Sequence, residues 1–303
     1  MASETYKKQV RLLLDVLPEI AKEHSLALHG GTAINLFVRD MPRLSVDVDL
    51  TYVPFDDRST SLKNISEALE KCKERFKKIL PAATIQHKTD EAKLIISNHG
   101  VIVKIEVNTV NRGILSDPIK LNLCKKAQNE FDAFCSIGVV PFGQLFGGKI
   151  VAAFDRQHPR DLFDVKYLLQ KEGFTEDIKT GFLLLLVCSE RPIYEVLFPH
   201  FLDQRSAMEN QFSGMSNEVF TYEEYENVRA EMIKVVHQKL TATDKDFLLS
   251  VKSLNPDWSK YNFEIFPAVN WKLQNLQKLK DINPKKYQFM YEALEKKLSK
   301  LQT

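Results

Sequence analysis

The stretch Arg43-Leu44-Ser45-Val46-Asp47-Val48-Asp49-Leu50, preceded by His29-Gly30-Gly31-Thr32-Ala33, decides how this sequence is read. Strict alternation from Ser45 to Val53, ended by Pro54, predicts a strand, in which side chains i and i+2 share a face. Val46, Val48 and Leu50 then face a core, while Asp47 and Asp49 project together on the other side. Two carboxylates held that close repel unless something positive lies between them. A hard divalent cation does this, and Mg²⁺ typically takes one or two protein carboxylates plus substrate phosphates. The pair points to phosphoryl or nucleotidyl transfer, against the plainer reading of two solvated acids on an exposed strand.

Working outward, Gly30-Gly31 forms a turn without Cβ atoms at the start of a short helix. Such a turn lets backbone N–H groups approach a phosphate, though it also serves as an ordinary strand-to-helix connection. Thr32 can donate its hydroxyl to a phosphate or cap the helix. In Val103-Lys104-Ile105-Glu106-Val107, the valines and isoleucine face one side and Lys104 and Glu106 the other. Beside the first strand, Glu106 would supply a third metal-binding carboxylate; Lys104 next to it also permits a salt-bridged surface strand. Lys149, in the apolar helix beginning at Phe142, either snorkels to water or reaches a polar cleft, where it would stabilise transferring phosphates. In Arg160-Asp161-Leu162-Phe163-Asp164 the two acids share a helix face. Asp161 suits the helix N-terminus, and Arg160 suits either Asp161 or a substrate phosphate. His158 reads as a loop histidine.

Periodicity predicts a helix over 5–24, a strand at 26–28, one or two helical turns over 32–38, and an amphipathic helix over 59–80. Strands follow at 83–88, 92–97 and 101–110, with Asn98-His99-Gly100 as a hairpin turn. After an irregular stretch come Ile137–Val140, a helix from Pro141 through Phe154, and another from Pro159 through Leu169. Beyond residue 171 strand signals stop, and 176–189, 222–240, 243–253 and 284–302 read as helices. The expected architecture is α+β: a domain over 1–170 with a small mixed sheet, a seam at Lys171-Glu172-Gly173, and an all-α helical bundle over 171–303.

The chain is 44% hydrophobic and 27% charged, ordinary for a globular protein. With net charge +2, nucleic-acid binding would have to come from local patches. Residues 271–303 hold such a patch: Lys272, Lys278, Lys280, Lys285, Lys286, Lys296, Lys297 and Lys300 outnumber Asp281, Glu292 and Glu295. Trp258, Tyr261, Trp271, Tyr287 and Tyr291 are interleaved with them, as RNA stacking would need or as a helical core would. The opening Met1–Lys8 lacks a signal-peptide pattern, and Phe182–Cys188 is too short to cross a bilayer. Cys72, Cys124, Cys135 and Cys188 are scattered without a CxxC, which argues against zinc or a disulfide framework and for a reducing cytoplasm.

Taken in order, Gly30-Gly31-Thr32-Ala33, Arg43-x-Ser45-x-Asp47-x-Asp49, Lys104-Ile105-Glu106, Lys149 and Arg160-Asp161-x-x-Asp164 resemble the AbiEii/AbiGii nucleotidyltransferase toxins, within the polymerase-β-like nucleotidyltransferase superfamily. The resemblance covers roughly residues 1–170. The superfamily often has Gly-Ser at Gly30-Gly31, and the family places a lysine where this chain has His158. It implies transfer of a nucleoside monophosphate from an NTP with release of pyrophosphate, an operon-encoded antitoxin and, in some relatives, tRNA as acceptor. On this basis Asp47, Asp49 and Glu106 would bind Mg²⁺, and Gly30, Gly31, Thr32, Ser45 and Arg160 would contact the nucleotide. Lys149 would balance pyrophosphate charge, and Asp164 would orient Lys149 or touch the nucleotide. Two alternatives stand beside this: an antibiotic-type small-molecule nucleotidyltransferase, and a non-enzymatic interaction module on a decayed fold.

Overall fold

The computed structural model describes residues 3–301. Met1 and Ala2, where the leader reading begins, and Gln302, where the last expected helix ends, lie outside the described residues, as does Thr303. Backbone contacts group the chain into two compact units: residues 1–141 with 209–219, and residues 142–208 with 220–303.

The first unit opens with α1 (Glu4–Ile20), capped by the Ser3 side chain. β1 (Leu26–His29) runs into α2 (Gly30–Ala33), which continues as a π-helical turn over Ile34–Val38. β2 (Asp47–Tyr52), α3 (Arg58–Ile79), β3 (Thr84–Lys88), β4 (Lys93–Asn98) and β5 (Val101–Asn108) follow. β6 (Ile119–Asn122), α4 (Lys125–Phe131) and β7 (Ser136–Val139) complete it. The seven strands form one mixed sheet in the order β3-β4-β5-β2-β1-β7-β6, with β2–β5 and β1–β7 parallel. Val48 and Leu50 of β2, Val103, Ile105 and Val107 of β5, and Leu94 and Ile96 of β4 are buried on one face. Leu13, Leu17 and Ile20 of α1, with Ile65, Leu69 and Phe76 of α3, are buried with them. The opposite face of β2 and β5 carries Asp47, Asp49, Lys104 and Glu106, each half-buried or exposed.

The second unit comprises α5 (Phe142–Arg156), α6 (Pro159–Lys171), α7 (Glu176–Val187), the short α8 (Ile193–Val196) and α9 (Arg205–Ala207), then α10 (Tyr222–Lys239), α11 (Ala242–Lys252), α12 (Pro267–Ile282) and α13 (Pro284–Leu298). The apolar run Phe182–Val187 is the buried heart of α7. No helix among the described residues is long and apolar enough to cross a membrane.

The seam differs from the expected one at Lys171. Glycines explain why α5 belongs with the later helices. A Cβ on Gly143 would land on the backbone of Asp177, one on Gly147 on Gly181 and Phe182, and one on Gly181 on Gly143. The α5 and α7 backbones therefore touch directly, an approach that side chains would prevent.

Candidate active site

Asp47 and Asp49 lie on β2 with the intervening Val48 fully buried. The parallel register sets Asp47 beside Lys104 and Asp49 beside Glu106 on β5. Strand spacing is about 4.8 Å, so the three acids occupy adjacent positions of one sheet face. The row through Asp49 extends further. His29 on β1 pairs with Asp49, and Lys93 on β4 pairs with Glu106. The Lys93 ammonium lies 3.0 Å from Glu106 Oε1 and 3.1 Å from Glu91 Oε2. Glu106 thus adjoins Asp49 and is salt-bridged on its other side to Lys93. Among the described residues, no three His, Cys, Asp or Glu side chains are gathered tightly enough to hold a metal ion.

The glycine turn abuts these acids. Gly30 has φ +70°, the left-handed region that favours glycine, and a Cβ there would land on Asp49 Oδ2. Gly31 packs as closely against other groups: its Cβ would sit 2.9 Å from Arg43 Nη2 and 3.0 Å from Ser45 Oγ. The Asn35 amide donates to the Gly31 carbonyl at 2.9 Å, within the π-helical turn. Thr32 is fully buried; its hydroxyl donates to the Asp47 carbonyl at 2.5 Å and lies 3.0 Å from Ser45 Oγ. Thr32 does not cap the helix, whose N-cap position is His29. The hydroxyl is committed to the protein, where it ties the turn to the start of β2.

Lys149, Asp164 and Arg160 belong to the second unit. The Lys149 ammonium bonds Asp161 Oδ1 at 2.8 Å and Asp164 Oδ2 at 3.0 Å, with all three residues buried. Arg156 grips Asp161 with Nε at 2.6 Å and Nη2 at 3.0 Å. Burial alone would raise the Asp161 pKa, but the Lys149 and Arg156 charges overturn this and hold the carboxyl well below the usual range. Asp161 is thus the hub at which Lys149 and Arg156 meet, and Lys149 joins it to Asp164. His158 caps α6, its Nδ1 accepting from the Arg160 amide at 3.1 Å.

Two comparisons bear on this arrangement. A family model described as "Nucleotidyl transferase AbiEii toxin, Type IV TA system" matches residues 11–275. The chain belongs to the AbiEii nucleotidyltransferase toxin family. Its fold is similar to that of MenT4, a nucleotidyltransferase toxin from Mycobacterium tuberculosis H37Rv, with a TM-score of 0.62 and 12% identity over 89% of this chain and 93% of that one. No curated protein sequence matches.

Within this AbiEii-family chain, residues that local pattern did not single out stand out in the structure. Lys93 is separated from Glu106 by a hairpin, so only strand register joins them. His29 enters the Asp49 row the same way. Asp161 and Asp164 share a helix face, and Lys149, two turns into the preceding helix, is the partner that joins them.

Proposed function

We propose that this chain transfers a nucleoside monophosphate from an NTP to an acceptor hydroxyl on RNA, and that an antitoxin restrains it in the cytoplasm. The observation that carries this reading is the β2–β5 register, which gives Asp49 and Glu106 adjacent positions beside Asp47. In the reaction, the acceptor oxygen bonds to the α-phosphorus. The bond from that phosphorus to the oxygen leading to the β-phosphate breaks, and pyrophosphate leaves with the electron pair.

Asp47 and Asp49 suit a divalent cation, because hard ions of this kind take one or two protein carboxylates plus phosphates. Bound there, Mg²⁺ would polarise the phosphate and balance the charge of the departing pyrophosphate. To Glu106, beside Asp49 in the same row, we assign uptake of the acceptor proton rather than the ion. Gly30 and Gly31 offer backbone unobstructed by Cβ atoms, suited to close approach of phosphate. Ser45 and Thr32 we assign to bracing that turn rather than to contacting the nucleotide. To Lys149 and Asp164 we assign the ion-pair knot of their own unit, since the ammonium is already shared by two buried carboxylates. Arg160, half-buried at the start of α6, keeps its assignment as an anion contact.

RNA as acceptor draws support from the exposed Trp271 and Phe289 among exposed lysines 278, 280, 285 and 286. Tyr261 and Tyr287 are buried, which removes them from any stacking surface. The test is incubation with each labelled NTP, Mg²⁺ and total RNA. Label entering RNA with wild-type protein and not with Asp47→Asn supports the proposal. Equal labelling by both proteins overturns it.

A further inference from the structure

We infer that the hollow between the end of α12 and the start of α13 seats one unpaired nucleotide of a bound single-stranded RNA, with its base on Phe289 and its phosphates on Lys280 and Lys285. This deepens the RNA reading given above and rests on it. The hollow has a volume of about 520 Å³, within the range of about 300–1,000 Å³ that small-ligand sites occupy. Lys280, Lys285, Tyr287, Gln288, Phe289 and Glu292 line it, and all lie beyond residue 275, where the family match ends.

Phe289 supplies a ring that is both exposed and held. It is 62% exposed, yet the Tyr194 ring stands perpendicular to it with 6.5 Å between centroids. Tyr194 is itself held: Lys297 Nζ lies 5.5 Å from its ring centroid and donates to its carbonyl at 3.3 Å. An aromatic face fixed in this way loses little freedom when a base stacks on it. The floor of the hollow is equally fixed. Tyr287 is buried, its hydroxyl donates to the Lys252 carbonyl at 2.8 Å, and Lys280 Nζ lies 5.5 Å from its ring centroid. Glu292, the one acid of the lining, accepts from the Gln288 amide at 2.9 Å.

Charge selects a polyanion. Over residues 278–289, Lys278, Lys280, Lys285 and Lys286 stand against Asp281, and all five are exposed. Asp281 accepts from Gln277 at 2.8 Å, and among the described residues none of the four ammonium groups forms an ion pair. Lys285 and Lys286 occupy the first turn of α13, which carries no acid, although cations at that end oppose the helix dipole. Helix stability therefore does not account for them, whereas phosphates drawn to them would relieve the repulsion. An acidic protein segment would meet the same lysines, but the exposed ring beside them favours a base, because every base has a face that stacks on an aromatic.

The test is fluorescence anisotropy of a labelled, unstructured oligoribonucleotide titrated with the full chain in the absence of NTP, over a series of salt concentrations. Expected is binding weakened about five- to a hundredfold by Phe289→Ala and by Phe289→Leu, which keeps apolar bulk without a ring, and affinity kept by Phe289→Trp. Lys280→Gln and Lys285→Gln should each flatten the fall of log affinity with log salt by about 0.7, while Phe289→Ala leaves that slope unchanged. Phe289→Leu binding as tightly as wild type overturns the inference. So does polyglutamate displacing the RNA as well as unlabelled RNA does, which would make this a surface for acidic protein. Free AMP competing as well as the strand would make it a mononucleotide site and overturns it too. Lys285→Gln and Phe289→Trp read the site if Phe289→Ala does not fold. If wild type binds no RNA, the RNA reading itself fails and the inference falls with it. If wild type binds and labels RNA while Phe289→Ala binds as tightly, only the inference fails.

Discussion

Asp49 and Glu106 are direct partners across the parallel junction of β2 and β5, and a Cβ on Gly30 would touch the Asp49 carboxylate. Acid pair and glycine turn are therefore one structural unit, closed by the Thr32 hydroxyl on the Asp47 carbonyl. The side chains of Asp47 and Asp49 sit on the face of β2 away from the buried core. Asp47→Asn and Asp49→Asn should each reduce NTP-dependent labelling to background while the chain stays folded, since both side chains lie on the face of β2 away from the core. A circular dichroism melt run beside the labelling assay checks both halves of this expectation.

Gly30→Ala tests the close approach from the other partner. Alanine in the left-handed region costs about 1–2 kcal/mol, and its methyl group would push the Asp49 carboxylate aside. We expect activity lost with a stability loss of that size, read by urea denaturation. Gly100→Ala is the control. It carries the same strain at φ +79° but meets nothing within 4 Å of its Cβ, so it should lose stability and keep activity.

What the sequence made legible follows from what local pattern encodes. The alternation Asp47-Val48-Asp49-Leu50 located β2, and the turn Asn98-His99-Gly100 located the β4–β5 hairpin, with both His99 and Gly100 at positive φ. The strand nevertheless starts at Asp47 rather than Ser45, because Ser45 is buried against Thr32 and Gly31. β6 escaped notice as a four-residue strand held by pairing to β7. α12 escaped because only Ala268, Val269 and Leu276 of its residues are buried, too few for a helical stripe. Lys93 and His29 join the Asp49 row through register alone, which no local pattern records.

The Lys149 knot should matter for stability before it matters for anything else. Breaking a buried ion pair by removing one partner costs about 3–5 kcal/mol, and Lys149→Met takes away the ammonium that the buried Asp161 and Asp164 share. The depressed Asp161 pKa fixes the pH dependence. A carboxyl titrating lower in the folded than in the unfolded chain contributes stability above its unfolded pKa of about 3.9, lost as pH falls through the folded value. Without Lys149 the raising effect of burial on Asp161 is less opposed, so the carboxyl titrates higher in the variant, and the gap should be full at neutral pH and narrow progressively as pH falls through the acid range. Urea melts across that range measure it. A variant as stable as wild type but inactive would return Lys149 to a role in catalysis.

Lys252 gives the opposite sign. It is buried near the end of α11, its ammonium 5.3 Å from the Tyr287 ring centroid, and the Tyr287 hydroxyl donates to the Lys252 carbonyl at 2.8 Å. Burial, helped by the charge of Lys272, pushes its pKa from 10.5 down to about 8. Below pH 8 the lysine is charged in both folded and unfolded chains, so the folded protein carries the full cost of burying that charge. Between pH 8 and 10.5 the folded protein releases the proton first, and this residue's contribution to stability rises with pH. Lys252→Met should stabilise the chain below pH 8 by up to about 3 kcal/mol, less about 1 kcal/mol for the lost contact with the ring. The advantage should shrink steadily as pH approaches 10.5, and a wild-type-minus-variant difference cancels tyrosines and cysteines that titrate in the same range. A gap that stays constant with pH would show that Lys252 remains charged throughout.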